Sequence, residues 1–220
     1  MSVSRVFVLI LLMPQAVFAA ITIQDDTGRS ITLTHPARRI ISLAPHVTEL
    51  IYAVGAGPQL VGADSASDFP AAAKTLPRIG DYSRINFERV AGLKPDLVIG
   101  WTSGNRAADI YKLRQMGIPV LLTDAHRLTD VARLLRVIGN ATAQRATGEA
   151  AARAFEADLS KLRARHRSAQ TRRVFYQIWD KPLMTIGGGH WINDAITLCG
   201  GRNIFADLKA ASPIVSLEAV

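Results

Sequence analysis

The chain has 220 residues, 49% hydrophobic and 20% charged, with a formal net charge of +8. Such a composition can bury a core and excludes a disordered or fibrous polypeptide. The basic balance raises nucleic acid as a partner, but Lys and Arg are scattered. Their one modest cluster, Lys161–Arg173, reads as a solvated helix face, so no nucleic-acid partner is expected.

The first twenty residues, "MSVSRVFVLILLMPQAVFAA", carry a positive start at Arg5, an apolar middle over Val6–Met13 and a small-residue exit at Val17-Phe18-Ala19. This is the pattern of a secretory signal, residues 1–19, with cleavage expected after Ala19. The apolar run is short for a bilayer span, no later segment is long and uncharged enough, and no lipobox cysteine follows. A soluble, monomeric protein of the bacterial periplasm without stable membrane insertion is expected.

"ITIQDDTGRSITL" alternates apolar and polar residues on both sides of Thr27-Gly28 and predicts a hairpin. "RRIISLAP" predicts a buried strand over Arg39–Leu43. "HVTELIYAVGA" predicts a helix with Val47, Leu50, Ile51 and Val54 on one stripe, stopped by Gly55 and Gly57. "QLVGA" is a short strand, and a long proline-bearing loop follows, "DSASDFPAAAKTLPRIGDYSRI". Long ordered loops are commonly functional. A short helix over Asn86–Leu93 leads to the strand Pro95–Trp101, apolar on both faces as inside a parallel sheet. A helix over 106–116, the strand "PVLLTD" and a helix over 128–138 complete an alternating α/β unit.

Asn140–Ala169 differs: it is rich in Ala, Glu, Arg and Lys, with Phe155, Leu159, Leu162 and His166 at helical spacing, and predicts one long helix. Then the strand "RRVFYQIW", the turn "IGGGH" and the helix "WINDAITLC" restart the alternation. The expected class is α/β: two lobes with parallel sheets, 20–139 and 170–220, joined by a long rigid helix over 140–169.

One phrase occurs twice. "INFERV" (Ile85–Val90) and "IVSLEAV" (Ile214–Val220) each place a capping residue, Asn86 or Ser216, two positions before a glutamate, Glu88 or Glu218. Both predict helix starts in which a side-chain oxygen caps the first turn and a carboxylate faces the positive helix end.

Five phrases in order, "RRIISLAPHVTELIYAVGA", "INFERVAGLKPDLVIGW", "LRQMGIPVLLTD", "LCGGRNIF" and "VSLEAV", resemble the periplasmic binding proteins of importers for cobalamin, iron-siderophores and haem. Within that group the cobalamin binders are the best match, and the likeness runs from about Ile21 to the last residue. The resemblance implies two α/β lobes bridged by a helix, with a corrinoid, most of all cobalamin, held between them; haem and iron-siderophores are the alternative ligands. It implies no cofactor and no enzymatic activity. It also implies a second lobe that continues beyond Val220, so an incomplete, truncated lobe is expected here. As partner it implies the permease dimer of an ABC importer, docked through Glu88 and Glu218, one carboxylate per lobe.

For the ligand, Trp101 ends a strand where α/β folds place their crevice. The resemblance puts Tyr82 where cobalamin binders stack an aromatic on the corrin, with Trp179 and Trp191 as candidates from the opposite wall. The chain departs from those binders at Ala66 and near Ser212, where they carry aromatic residues. His46, His126 and His190 stand at strand or helix ends and could serve a metal-ion binding protein, although none share tight ligand spacing, and loop or capping roles compete. "IGGGHW" lacks the lysine and Ser/Thr of a phosphate loop. Cys199 reads either as a small buried thiol or as half of a disulfide whose mate is absent. An exported hydrolase built on His190 and Asp194 is the enzymatic alternative, with neither a nucleophile elbow nor a zinc motif to support it.

Overall fold

A computed structural model describes residues 20–166 and 170–220. The secretory signal expected over residues 1–19 and the last residues of the long helix, 167–169, lie outside the described residues. An antiparallel hairpin opens the chain, β1 (Ile21–Gln24) pairing with β2 (Ser30–Leu33). Asp25 makes its turn: one carboxylate oxygen accepts from the backbone N–H groups of Thr27 and Arg29, each at 2.9 Å, and Gly28 supplies the positive φ of 82°.

Four strands form the first sheet: β3 (Ile40–Ser42), β4 (Leu60–Ala63), β5 (Leu97–Trp101) and β6 (Val120–Thr123). All neighbours are parallel and the order is β4-β3-β5-β6. Their continuous apolar runs are explained by burial on both faces. Ile40, Leu97, Ile99 and Leu121 pack one way, against α1 (Pro45–Ala53) and α4 (Leu128–Ala141). Ile41, Leu43, Val98, Val120 and Leu122 pack the other way, against α2 (Phe87–Gly92) and α3 (Ala107–Gln115). Successive residues of a strand thus feed opposite cores, as a period of two requires.

The order of the strands has a functional consequence. From β3 the chain goes outward to β4, then crosses back to β5 and β6 on the other side. Between β3 and β5 the winding reverses, which is where open parallel sheets leave a crevice at the carboxyl ends of their strands.

α5 (Arg145–His166) is 22 residues, about 33 Å long at helical rise. The single helix expected from Asn140 is in fact interrupted. Asn140 and Ala141 end α4, the Thr142 hydroxyl bonds to the Ile138 carbonyl at 2.8 Å, and Ala143 takes a φ of 57° to turn the chain. α5 then packs back on α4, with Gly139 and Gly148 meeting where no side chain fits.

The second unit is smaller. β7 (Arg172–Val174) and β10 (Gly201–Asn203) are parallel and joined by α6 (Trp191–Leu198). β8 (Trp179–Asp180) and β9 (Leu183–Met184) form a hairpin. The strand expected over "RRVFYQIW" therefore splits in two. Asn203 turns β10 away by accepting the Phe205 N–H at 3.0 Å, so among the described residues β7 has no strand partner past Val174 and the chain leaves to pair elsewhere. Thr185, Ile186 and Asn203 are buried, but no residue of α6 is.

Two further expectations are corrected. Asn86 does cap α2, its side-chain oxygen accepting from Arg89 N–H at 2.9 Å. Ser216 does not cap by its side chain: Leu217–Ala219 is one 3-10 turn, closed by Ala219 N–H on the Ser216 carbonyl. Cys199 is exposed rather than a buried thiol.

Candidate functional site

At the winding reversal the carboxyl ends of β3 and β5 carry two rings in contact. His46 lies in the first turn of α1, and Trp101 ends β5. Their centroids are 5.3 Å apart with planes at 86°, an edge-to-face pair. Trp101 is fixed from several sides. Its backbone N–H donates to Asn105 Oδ1 at 2.7 Å, while Asn105 Nδ2 donates to the Leu43 carbonyl at 3.1 Å and so ties the two strand ends together. Its indole N–H donates to Asp124 Oδ1 at 3.3 Å, and the ring lies so close over Gly104 that a Cβ there would meet it at 1.9 Å.

Asp124, just past β6, is the acceptor at the centre of this wall. It also takes the Ser103 hydroxyl at 3.0 Å and faces His126 Nε2 at 3.6 Å. Its own backbone N–H donates to Asp26, which Arg133 of α4 holds by two bonds of 2.6 and 3.2 Å. Burial holds His46 below the ordinary imidazole pKa, against the opposing pull of Asp124 and Asp64, and so favours the neutral ring.

Behind this wall a buried chain of hydroxyls secures the long loop. Thr48 bonds Ser42 and Ser67, each at 2.8 Å, and Ser67 donates to Asp64. Arg78 clamps the Asp64 and Ser67 carbonyls at 3.0 and 2.7 Å. The loop then presents Tyr82, 72% exposed. It is tethered beside the Trp101 loop by Arg106, which donates to the Ser83 carbonyl at 3.1 Å.

From the second unit comes the start of α6. His190 Nδ1 accepts from Ile192 N–H at 3.1 Å and caps the helix, as a loop or capping role predicts. Burial, then the electrostatic influence of the neighbouring His126, holds its pKa below the ordinary imidazole value. His126 and His190 therefore stand near each other across the two units. Trp191 is half-exposed and its ring meets that of His190 at 5.6 Å, tilted by 31°. Leu128 N–H, at the first turn of α4, donates to Asp194 of α6 at 3.3 Å.

Arg106 thus links the Tyr82 turn to the segment that follows Trp101, while Trp191 adjoins His190 at the start of α6. Trp179 lies in the β8–β9 hairpin, exposed, with its indole N–H spent on the Lys181 carbonyl at 3.1 Å. Two cavities of about 400 and 420 Å³ lie elsewhere, one on the β7–α6 face beside Cys199, the other between Leu128, Leu159 and Asp194. Neither is lined by Tyr82, Trp101, Trp179 or Trp191. Among the described residues no three His, Cys, Asp or Glu side chains converge to hold a metal ion. In "IGGGH", Gly187 and Gly188 press against the Ala206–Ala210 backbone, where a Cβ would come within 2.1 Å of carbonyl oxygens. That packing explains the glycines.

Sequence reasoning passed over Asp124, Asn105, Asp26 and Arg133. A carboxylate directly after a buried parallel strand was the available signal for Asp124. Glu88 is exposed in the first turn of α2, and Glu218 is exposed with its carboxyl held below the ordinary value by its own backbone N–H and then by the Ser216 hydroxyl.

Two α/β units bridged by a helix, with the His46–Trp101 pair where the first sheet reverses its winding, are the architecture of a solute-binding protein. The chain belongs to the periplasmic binding protein family, whose model matches residues 40–220. It is 38% identical over 192 residues to the vitamin B12-binding protein of Vibrio parahaemolyticus, covering 87% of this chain and 70% of that one. It is 42% identical over 185 residues to that of Vibrio cholerae, covering 84% and 67%. Among solved structures, the periplasmic vitamin B12 binding protein of Vibrio cholerae superposes with a TM-score of 0.76 at 42% identity, covering 83% of this chain and 72% of that one. A periplasmic haem-binding protein of Roseiflexus superposes at 0.75 with 28% identity and the same coverage.

Proposed function

We propose that this protein captures cobalamin between its two lobes, 20–139 and 170–220, and delivers it to the permease of an ABC importer. The observation that carries the reading is the fixed aromatic pair His46–Trp101 at the winding reversal of a fold 42% identical to a vitamin B12 binding protein. A corrin offers a broad apolar face with polar amides at its rim. Trp101, Tyr82 and Trp191 supply aromatic area with little rotamer entropy to lose, while Asp124 and the imidazoles supply polar partners. Trp179 is the outer member of the same ligand set. Binding requires no covalent step, no cofactor and no catalysis.

Delivery is electrostatic. Glu88 and Glu218 are exposed carboxylates, one on each lobe, suited to basic side chains on a twofold-symmetric permease. Exposed ion pairs are individually weak, so their use is in register and orientation. The N-terminal segment 1–19 directs export, and the protein works in the periplasm as a monomer.

A haem ligand is the second reading, favoured by the Roseiflexus relative and by His126 and His190 near one another. Incubating the purified chain with aquocobalamin, haemin or a ferric siderophore, followed by desalting, tests both. Corrinoid absorbance eluting with protein is expected; haemin retained alone would replace the first reading with the second.

A further inference from the structure

Among the described residues Tyr82 makes no side-chain hydrogen bond, yet the backbone beneath it is heavily fixed. A single oxygen of Asp81 accepts three donors: the Ser83 backbone N–H at 2.8 Å, the Ser83 hydroxyl at 2.6 Å and the Arg84 N–H at 3.0 Å. Asp81 N–H in turn donates to the Arg84 carbonyl at 3.1 Å, closing the turn of which Tyr82 is the tip. Gly80 takes a φ of 120°, and a Cβ there would stand 2.1 Å from the Arg84 carbonyl oxygen, so the two legs of the loop lie in contact. Below them Gly80 and Ile85 form an antiparallel bridge, and Ser65 donates twice to the Gly80 carbonyl, at 2.7 and 2.8 Å. Arg106 holds the far side through the Ser83 carbonyl.

A side chain 72% exposed and without a hydrogen bond is positioned chiefly by the backbone that carries it. We propose that Asp81 is the positioning residue for ligand capture: its carboxylate locks the Asp81–Arg84 turn and so holds the backbone from which the exposed Tyr82 ring is presented for stacking. The inference rests on the reading of Tyr82 as a ligand contact. Its advantage is pre-organisation, because a ring on a fixed backbone loses less freedom on binding than one on a loose loop. The three donors, Ser83 hydroxyl first, also keep the Asp81 carboxyl below its ordinary pKa, so the lock stays charged at neutral pH.

A double-mutant cycle on the full chain, read by aquocobalamin titration, tests this. Asp81→Ala is expected to weaken binding about three- to tenfold, the scale of one side chain's ordering. In a Tyr82→Ala background the same change is expected to do almost nothing, because the residue acts only through that ring. Asp81→Asn, which keeps the accepting oxygen, restores affinity, whereas a general folding defect would not be rescued in this way. Equal losses with and without Tyr82, or no loss in either, overturn the inference while leaving the proposed function standing. No cobalamin binding by the parent chain overturns both.

Discussion

The His46 imidazole meets the Trp101 indole edge to face, with centroids 5.3 Å apart, at the point where the first sheet reverses its winding. This contact joins α1 to the end of β5, and Asp124 Oδ1 completes the restraint by accepting the indole N–H at 3.3 Å. Trp101 is thus oriented before any ligand arrives. Trp101→Ala is expected to weaken cobalamin binding about tenfold or more, since it removes both stacking and apolar area. Trp101→Phe should recover part of the loss. Calorimetric titration of the three proteins measures it, and unchanged affinity in Trp101→Ala would remove the ring from the ligand wall.

The first unit was legible because its signals are local and repeated. Ile40–Ser42 and Leu97–Trp101 are short apolar runs, the first followed by Pro45 and the second preceded by Pro95, and each run had one plausible structure. Asp124 was not legible in the same way. Whether its oxygen meets Trp101 depends on β5 and β6 pairing with Trp101 opposite Thr123, which no local pattern contains. The two glutamate phrases make the same point from the other side. Asn86 sits in a packed setting, its N–H on the Ile79 carbonyl and Ile85 and Val90 buried on either side. Ser216 to Val220 are all exposed, so a like sequence forms only a 3-10 turn. The short strands of the second unit, two or three residues each, were set by long-range pairing such as Met184 with Ile214, which is invisible to periodicity.

Because both glutamates are exposed, the proposed docking role can be separated from the proposed capture role. Glu88→Ala and Glu218→Ala should each leave cobalamin affinity within about twofold, as surface changes generally do. Uptake through the permease should fall, and further in the double variant. Transport of labelled cobalamin by spheroplasts supplied with each protein reads the second effect, and titration reads the first. A loss of affinity in either single variant would relocate that carboxylate to the ligand wall.

The packing of α5 on α4 depends on two glycines. A Cβ on Gly148 would stand 2.7 Å from the Leu135 carbonyl oxygen and 3.1 Å from Gly139 Cα, both backbone atoms that can yield only if the helices separate. Gly148→Ala gains helix propensity of about 1 kcal/mol but meets an overpacking cost of about 1–3 kcal/mol, so a net loss is expected. Gly148→Val, with more to fit and a poorer helix former, should lose more. Gly92→Ala, where nothing lies within 4 Å, is the matched control and should be neutral or mildly stabilising. Thermal melts should place the midpoint of Gly148→Ala about 2–6 °C below the parent and that of Gly148→Val lower still. Equal midpoints would mean that the close approach carries no stability.

The start of α6 should be sensitive to acid through His190. Its Nδ1 can accept the Ile192 N–H only when unprotonated, and burial followed by the electrostatic influence of His126 holds its folded pKa below the model-peptide value of about 6.5. Around it stand the Trp191 ring, His126, with Asp124 beyond it, and Asp194 further along α6. In the unfolded chain the imidazole takes its proton near its ordinary value; in the folded protein it does so at lower pH. Between the two the unfolded state binds more protons, so stability rises with pH. His190's contribution is therefore complete above about pH 6.5 and is lost as pH falls through the window toward its lower folded value. His46, also held low by burial, acts in the same direction. His190→Asn keeps an accepting oxygen at the cap and has nothing to titrate. Denaturant unfolding at pH 5, 6 and 7 should show a shallower loss of stability toward acid in that variant than in the parent, with the two converging at pH 7. Parallel profiles would show that the imidazole titrates alike in the folded and unfolded chains, which its place under α6 opposes.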